Sequence, residues 1–432
     1  MFEKVLVPTD LSEQSRKIVA AAGRIPGIRN LVLLHILVRI PPAIDPGEVT
    51  RVAEERLELQ KKCITGPAIT VTTLVGAAPD GRIPEAILRT AGTERPSLIV
   101  MGARKGILSG YFLSRGATEI LTSSRTHILV LRFAEKGLIF SHEEPGQPLM
   151  RKILFPLDFS KPAKDALARI EHLPGIEEIV LLHVIRHIGQ EESMNLHVRE
   201  VEMRLSEARE TIRLERPLIK VRMMVRFGDP LQQINTVSLQ EQVSLIMMSR
   251  YGKMDYIRKV PVGTTTARVA QEAKKPVLVI FTEIHVEVNA RELSPAEFYF
   301  AEKIWFDYHQ TRSDPAADRI FCVFVEDTPV SVARCKRHPD GYEVDGIFTW
   351  EEFRGSGYAR RALDLLIEAC GNETLHMYAV ASLVDFYASQ GFVLIPENEL
   401  PASIRERYTW ALGDMEAANV RPMKRVPGKG KN

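Results

Sequence analysis

The first two thirds of the chain repeat one pattern. The segment KVLVPTDLSEQSRKIVAAAGRIPGIRNLVLLHIL begins at Lys4 and aligns without a gap on KILFPLDFSKPAKDALARIEHLPGIEEIVLLHVI, which begins at Lys152. Matched positions lie 148 residues apart throughout this stretch. Because similarity at a long fixed offset is typical of a duplicated domain, we expect two copies of one domain, at residues 1–137 and 150–283.

Each copy alternates short apolar runs with segments of helical periodicity. In the first copy, KVLVPTD and NLVLLHIL have the composition of buried strands. The segment SEQSRKIVAAAGRI between them has helical spacing, with Ser12 as its N-cap. Strands this rich in Val, Ile and Leu, each followed by a helix, are typical of a parallel sheet with both faces covered. Both copies are therefore predicted to be α/β domains with a doubly wound parallel sheet.

Polar and small residues follow the predicted strands of both copies. In a doubly wound sheet, ligands bind beyond the carboxyl ends of the strands. The first copy places Asp10 and Gly102 at that edge. The second copy places a larger set of candidate nucleotide contacts there: Pro156, Asp158, Val184, Ser249, Gly252, Gly263, Thr264 and Thr265.

These loops resemble those of the universal stress protein family. The shared features are the VLVPTDLS opening, the GDPLQQI turn and a glycine-containing loop after the fourth strand. ATP-binding members carry Gly-x2-Gly-x9-Gly-(Ser/Thr) in that loop, and its backbone amides hold phosphate. The second copy starts the loop with Ser249 but keeps Gly252, followed after ten residues by Gly263-Thr264. The first copy ends the loop at Ala117, without the hydroxyl.

The resemblance implies ATP as a ligand, with the second copy as the better candidate. It also implies a homodimer formed through these domains. The alternative is that both loops are structural turns, as in family members that bind no nucleotide. In that case Asp10 and Asp158 cap the helices that follow them. His35 and His183 lie on apolar strands and are interpreted as core histidines.

The pattern changes at about residue 283. Residues 285–418 combine an aromatic-rich helix with three successive strands, which are joined by the short polar turns EDTP and PDG. Such a meander cannot continue the alternation of strand and helix, so a separate α+β domain is predicted. The basic segment after it, residues 419–432, is predicted to be a flexible tail.

A loop with two glycines follows the third strand of this meander. The sequence RGSGYA runs from Arg354 to Ala359 and opens a helix with apolar residues on one face. Glycines at a helix start let several backbone amides point to one place, which suits a pyrophosphate. In isolation, such a loop is better explained as a tight turn between strand and helix.

Two motifs together resemble the GNAT N-acetyltransferase family. RGSGYA matches the Gln/Arg-x-x-Gly-x-Gly/Ala motif that binds the acetyl-CoA pyrophosphate, and SLVDFYASQGFV resembles the family's second signature. The resemblance implies an α+β acetyltransferase domain with acetyl-CoA as cofactor. The acceptor is then an amine of a protein or a small molecule. The implied cofactor contacts are Ile347, Phe348, Thr349, Arg354, Gly355, Ser356, Gly357, Tyr358 and Ala359.

The resemblance also indicates catalytic groups. Tyr387 is the implied general acid for the departing thiolate, and its alternative role is a core aromatic beside Phe386. The general base is left open by the resemblance, and its candidates are carboxylates on or just after the meander: Glu343 and Asp345, with Glu351 and Glu352 as further options. Val380 stands where many relatives carry an asparagine. A second function therefore stays open: a nucleotide-binding scaffold protein with an inactive transferase domain.

The composition argues against several other classes. Lys and Arg number 57 and Asp and Glu number 55, so no strong field favours nucleic acid or a membrane surface. No apolar stretch approaches a membrane span and the N-terminus lacks a signal-peptide pattern, so a cytoplasmic location is expected. The four cysteines have no metal-ligand spacing, which indicates free thiols and no metal site. No glycine fingerprint follows a first strand, which disfavours a dinucleotide-dependent oxidoreductase.

Overall fold

The structure is a computed structural model that falls into two compact units, Met1–Ile284 and His285–Asn432. The N-terminal unit holds both copies of the repeat. The residues that the structure describes are 1–64, 69–105, 111–112, 115–134, 137–138, 149–186, 191–252, 262–283, 286–306, 312–407 and 419–428.

The first copy alternates strands and helices, as its sequence pattern predicts. Its strands are β1 (Lys4–Pro8), β2 (Asn30–Val38), β3 (Thr70–Ala78), β4 (Leu98–Lys105), β5 (Tyr111–Phe112), β6 (His127–Ala134) and β7 (Gly137–Leu138). Its helices are α1 (Glu13–Ala22), α2 (Pro46–Lys61), α3 (Ile83–Glu94) and α4 (Arg115–Ser123). The predicted N-cap is confirmed, because the Ser12 side chain accepts a hydrogen bond from the Ser15 amide.

The second copy has the same order of elements. Its strands are β8 (Lys152–Pro156), β9 (Glu178–Ile185), β10 (Lys220–Phe227), β11 (Leu245–Ser249) and β12 (Val277–Ile280). Its helices are α5 (Lys161–Ala168), α6 (Glu191–Glu215), α7 (Pro230–Gln240) and α8 (Thr264–Glu272). Ser160 caps α5 as Ser12 caps α1, since its side chain accepts from the Ala163 amide.

The two copies share one continuous sheet. The first copy contributes the order β6-β4-β1-β2-β3 and the second the order β12-β11-β8-β9-β10, with parallel pairing within each copy. Strands β6 and β12 pair antiparallel and join the halves, with Val130 opposite Val277. In both copies the strand order reverses beside the first strand, which creates the crevice where such folds bind ligands.

Apolar layers cover both faces of this sheet. Neighbouring residues of one strand enter different layers: Phe155 packs with Phe2 and Ile179 on one face, whereas Leu154 packs with Ile246 on the other. This alternation buries the strands on both sides, which explains their nearly continuous apolar sequences. The predicted doubly wound α/β class is confirmed.

The C-terminal unit is an α+β domain. Its strands are β13 (Val288–Glu292), β14 (Asp318–Val325), β15 (Thr328–His338), β16 (Gly341–Thr349), β17 (Leu375–Val380), β18 (Val393–Leu394) and β19 (Val420–Arg425). Its helices are α9 (Tyr299–Trp305), α10 (Tyr358–Cys370) and α11 (Val384–Ala388), with a further helical segment at 402–407. The sheet order is β13-β14-β15-β16-β17-β19-β18, in which β14, β15 and β16 form the predicted meander.

The predicted tail at residues 419–432 is wrong for the part that forms β19. This strand pairs with β17 on one side and with β18 on the other. Val420 and Met423 are buried, and Arg425 Nε donates to the Gln390 carbonyl at 3.2 Å. Apolar side chains between the basic ones supply the contacts that hold the strand. Residues 408–418 and 429–432 lie outside the described part of the chain.

No helix among the described residues has the length and apolar character needed to cross a membrane. The same residues contain no group of three or more His, Cys, Asp or Glu side chains that could hold a metal ion. The four cysteines are free thiols, of which Cys322, Cys335 and Cys370 are buried.

Candidate functional site

The loop between β16 and α10 turns sharply and opens outward. Gly355 and Gly357 have φ angles of 78° and 81°, in the left-handed region that favours glycine. A Cβ atom added at either position would meet no atom within 4 Å. Arg354 and Ser356 are exposed as well. The loop therefore leaves room for a ligand directly against its backbone.

The amides of this loop form an unsatisfied group. Among the described residues, the backbone N–H groups from Gly355 to Ala359 have no hydrogen-bond acceptor, whereas the Arg361 amide donates to Gly357 O at 3.1 Å. Amides at the start of a helix carry partial positive charge. The start of α10 can therefore accept an anion with several oxygen atoms.

The Arg354 side chain fastens the loop to the strand before it. Its Nε donates to the Thr349 carbonyl at 3.2 Å, and its guanidinium lies 5.6 Å from the centre of the Phe348 ring. The loop is therefore fixed to the end of β16 at its first residue.

Strand β16 precedes the loop and strand β17 follows helix α10, and these two strands are paired over only part of their length. In the described structure, the parallel ladder between β16 and β17 consists of Tyr342 with Leu375 and Glu343 with His376. The predicted cofactor contacts 347–349 follow on β16, beyond the end of this ladder. The gap between the two strands thus lies next to the amides at the start of α10.

Tyr387 lies in the short helix α11. It is 6% exposed, and its ring meets the rings of Phe386 and Phe392 at centroid distances of 5.0 and 6.3 Å. Arg360, in the first turn of α10, lies 5.8 Å from the centre of the Phe386 ring. The side chain of Arg360 thus links the start of α10 to α11, and Tyr387 has the aromatic contacts of a core residue.

Glu343 and Asp345 lie together in a cluster of ion pairs. Asp345 accepts two hydrogen bonds of 2.6 Å from Arg334. Glu343 is fully buried and bonds to His338 Nε2 at 2.8 Å and to Arg407. Arg407 also bonds to Asp345 at 3.2 Å. Both oxygens of Asp345 and Oε2 of Glu343 accept hydrogen bonds from guanidinium groups, and Glu343 Oε1 is buried with no hydrogen-bond partner among the described residues. Both carboxylates are thus held in ion pairs, and the geometry presents neither as an open general base.

A second candidate site lies at the crevice of the second copy. A cavity of about 460 Å³ is bounded by the ends of β8, β9 and β11 and by the start of α8. Gly263 is the N-cap of α8, and its amide donates to Arg250 O at 2.9 Å. Residues 253–261 of the predicted phosphate loop lie outside the described residues. The predicted contacts that line this cavity are Pro156, Asp158, Val184, Ser249, Gly252, Thr264 and Thr265.

Arg186 is a lining residue of this cavity that the sequence reasoning missed. Its Nη2 donates to Thr265 Oγ1 at 2.8 Å, so a guanidinium lies at the start of α8. Thr266 Oγ1 donates to the Ser249 carbonyl at 2.9 Å and anchors the helix start to β11. A comparison of the two copies could have indicated this residue, because the first copy has the apolar Val38 at the position that matches Arg186.

The aspartates that follow the first strand of each copy support helix caps. Asp10 accepts a hydrogen bond of 3.1 Å from the Ser12 amide, and Asp158 accepts one of 3.1 Å from the Ser160 amide. Both aspartates thus contribute to the start of the following helix. Gly102 lies within β4, and residues 106–110 after that strand lie outside the described part.

The two strand histidines are held alike. His35 Nδ1 lies 2.9 Å from the Thr9 carbonyl, and His183 Nδ1 lies 2.7 Å from the Leu157 carbonyl. His183 also stacks on Phe159, with ring centroids 4.8 Å apart, and lines the cavity. The repeated bond gives both histidines a structural role, and in the second copy the ring borders the candidate site as well.

Similar proteins fall into two groups. A universal stress protein from Methanocaldococcus jannaschii is 32% identical over 155 residues, which span 31% of this chain and 95% of that protein. The crystal structure of a universal stress protein from Archaeoglobus fulgidus is 21% identical, covers 64% of this chain and 95% of its own, and has a TM-score of 0.43. The crystal structure of Escherichia coli ElaA is 16% identical, covers 33% of this chain and 99% of its own, and has a TM-score of 0.24.

Two family models match the chain in succession. The model of the universal stress protein family matches residues 1–132 and 150–280, which together make up more than half of the chain. The model of the acetyltransferase (GNAT) family matches residues 282–392. The protein therefore belongs to the universal stress protein family, with two copies of that domain followed by a GNAT acetyltransferase domain.

Proposed function

We propose that the C-terminal unit is an acetyl-CoA-dependent N-acetyltransferase. The observation that carries this proposal is the row of acceptor-free amides from Gly355 to Ala359, which borders the gap between β16 and β17. An outward-opening glycine loop at a helix start fits a pyrophosphate, both in charge and in the space it leaves. The GNAT match over the same residues gives the chemical class.

The binding roles divide between loop and strand. The loop amides would hold the pyrophosphate, while Ile347, Phe348 and Thr349 on the β17 side of β16 would take the extended pantetheine arm. Acetyl-CoA supplies an activated thioester when it is bound. The chain's task is then to orient that group toward an amine of a protein or a small molecule, and to exclude water from it.

Tyr387 is the proposed general acid. Its phenol would hold a proton for the departing thiolate, and a neutral hydroxyl can do so in a buried place without the desolvation cost of a charge. We assign the general base to neither Glu343 nor Asp345, because both carboxylates accept hydrogen bonds from arginines.

Calorimetry with acetyl-CoA tests this proposal. Gly357→Asp should weaken binding at least about tenfold (~1.4 kcal/mol), because a carboxylate would lie against the phosphate-binding amides. Gly357→Asn is the matched control, since it imposes the same strained backbone without the charge. Binding should fall further in the aspartate variant than in the asparagine variant. If the wild-type chain binds no acetyl-CoA at millimolar concentration, the transferase proposal fails and the scaffold alternative remains.

A second candidate function is nucleotide binding by the second copy. The cavity at the crevice supports it, since it is large enough for a small ligand and brings seven of the predicted contacts together. Arg186 adds a cation beside the start of α8, where phosphate oxygens would lie. The first copy carries Val38 in place of this arginine and Ala117 in place of the loop threonine.

Binding of ATP to matched variants tests the second candidate. Gly263 has a φ angle of −63°, so aspartate fits there without strain and would cap α8 with its own carboxylate. Gly263→Asp should remove ATP binding, whereas Gly263→Asn, which caps without the charge, should retain more of it. Gly116→Asp changes the first copy and should leave ATP binding nearly unchanged. Equal losses from both aspartate variants would contradict the assignment to the second copy.

A further inference from the structure

Two of the buried cysteines lie side by side in the C-terminal unit. Cys335 is on β15 and Cys370 is the last residue of α10, and they are 2% and 5% exposed. Both lie beside Arg319, and each side chain is near enough to shift the pKa of the other. Because α10 packs against β15, this contact links the end of the helix to the sheet.

Arg319 lies next to both thiols. It stands opposite Cys335 in the ladder between β14 and β15. Its Nη1 lies 3.4 Å from Cys370 Sγ and donates to the Ala369 carbonyl at 2.9 Å. Glu292 fixes the guanidinium with two hydrogen bonds of 2.7 and 2.8 Å. A guanidinium held at this distance stabilises a thiolate.

The two thiols differ in acidity. The nearby Cys335 thiol, followed by the charge of Arg319, lowers the pKa of Cys370. The nearby Cys370 thiol, together with burial, raises the pKa of Cys335. Cys322 provides a contrast, because burial raises its pKa to about 12 and its sulfur lies 3.8 Å from the Val323 carbonyl. Cys370 is therefore expected to react first with an oxidant, and Cys335 is the second thiol of the pair.

We propose that Cys335 and Cys370 are a redox pair that hydrogen peroxide converts into a reversible disulfide. The Cys370 thiolate attacks one peroxide oxygen, the O–O bond breaks, and a sulfenic acid forms while the released hydroxide takes up a proton. Cys335 then loses its proton and attacks the Cys370 sulfur, and the S–O bond breaks. In sum, two thiols are oxidised to one disulfide and one peroxide is reduced to two waters.

The position of Cys370 allows a small oxidant to reach it. The residue lies at the end of its helix, and Ala369 before it and Asn372 after it are exposed. Helix ends open locally at low cost, so the last turn of α10 can admit peroxide while the rest of the unit stays folded.

Thiol counting on the full chain tests the proposal. The protein is treated with hydrogen peroxide, and the remaining thiols are counted in denaturant with a chromogenic disulfide reagent. One pair of thiols should disappear, the intact mass should fall by two hydrogens, and dithiothreitol should restore both. The Cys335→Ser and Cys370→Ser variants should each lose no pair. The matched controls Cys63→Ser and Cys322→Ser should lose the same pair as the wild type.

Digestion of the oxidised wild type identifies the linked residues, even if a serine variant fails to fold. A cross-linked peptide that contains Cys335 and Cys370 supports the proposal. Loss of a pair in Cys335→Ser would overturn it, as would oxidation of Cys370 to a sulfinic acid without a cross-link. A link that forms equally between other cysteines would overturn it as well, because unfolded chains pair their thiols without this selectivity.

Discussion

His127 connects the two copies of the repeat. Its Nδ1 accepts a hydrogen bond of 3.0 Å from the Phe281 amide, and its ring meets the edge of the Phe2 ring. Burial, followed by the positive charges of Arg169 and the N-terminus, lowers the pKa of His127 to about 4. The folded chain therefore keeps this imidazole neutral at neutral pH, as its acceptor role requires.

We predict that His127 makes the stability of the N-terminal unit depend on pH. The ordinary pKa of 6.5 applies to the unfolded chain, which therefore binds the proton more strongly than the folded chain does. The stabilisation is complete above pH 6.5 and is lost as the pH falls toward 4. It amounts to about 3 kcal/mol, because one pKa unit corresponds to about 1.4 kcal/mol.

Urea unfolding followed by far-UV circular dichroism measures this loss. His127→Asn keeps an acceptor atom near the position of Nδ1 but does not titrate, so it should flatten the curve below pH 6.5. If wild type and variant lose stability equally over this range, other groups cause the pH dependence.

Sequence patterns located individual residues well where one local motif determines them. The N-cap Ser12 and the left-handed glycines of the RGSGYA loop follow from short-range chemistry. Glu343 shows the limit of such reasoning. Its position on a strand could be predicted from the sequence. Arg407, however, comes from a helical segment far along the chain, and no local pattern indicates that it bonds to this carboxylate.

At the scale of elements, arginines from each copy cap a helix of the other. Arg132, on β6, is fully buried and donates to the carbonyls of Val269 and Ala270 in the last turn of α8. Arg250, after β11, donates to the carbonyls of Thr122 and Ser124 at the end of α4. A positive charge at a helix C-terminus satisfies free carbonyls and matches the helix dipole. These reciprocal caps hold the two copies together beside the β6–β12 pairing.

We predict that Arg132→Met weakens the N-terminal unit by about 1–3 kcal/mol. Methionine keeps most of the length but leaves buried carbonyls without a donor, which has a cost of this size. Arg16→Met, at an exposed ion pair of α1, is the control and should change stability by less than about 0.5 kcal/mol.

Far-UV circular dichroism in urea measures this effect, and tryptophan fluorescence separates the units. All three tryptophans, Trp305, Trp350 and Trp410, belong to the C-terminal unit, so their signal reports on that unit. An Arg132→Met curve that coincides with the wild-type curve would show that the buried cap contributes nothing.

Strand β19 shows why a whole strand can be missed when structure is predicted from sequence patterns. The segment VRPMKR has basic residues and a proline near the end of the chain, which is the composition of a solvated tail. It forms a strand because β17 and β18 present open edges on either side of it. Pairing between distant segments depends on the tertiary fold, whereas the helix α10 carried its own apolar stripe and cap signals.

At the scale of the molecule, the two copies of the repeat pair with each other through their edge strands. Strands β6 and β12 pair within one chain, and together they complete the shared sheet. The homodimer implied by the family resemblance stays a prediction, and it would need a surface other than these two edges. Because both copies belong to one chain, this edge pairing forms within a single molecule. Two separate single-domain chains would have to associate to form it.

We predict that ATP alters the affinity of the chain for acetyl-CoA. The motive is the covalent fusion of the second copy, with its proposed nucleotide site, to the GNAT acetyltransferase domain. A coupling of this kind is typically about 1–3 kcal/mol, or roughly 5–150-fold in affinity, and it must be reciprocal. Calorimetry on the full chain should show a shifted acetyl-CoA dissociation constant at saturating ATP, and an equal shift of the ATP constant at saturating acetyl-CoA.

Direct competition must be separated from such coupling, because acetyl-CoA itself contains an adenine nucleotide with a pyrophosphate. If ATP occupied the Gly357 loop, the apparent acetyl-CoA constant would keep rising with ATP concentration. Coupling between separate sites instead reaches a plateau once the second copy is saturated. Gly263→Asp should abolish a plateau-type shift and leave competition unchanged. If ATP binds the wild type and the acetyl-CoA constant stays the same, the two units are tethered without regulation.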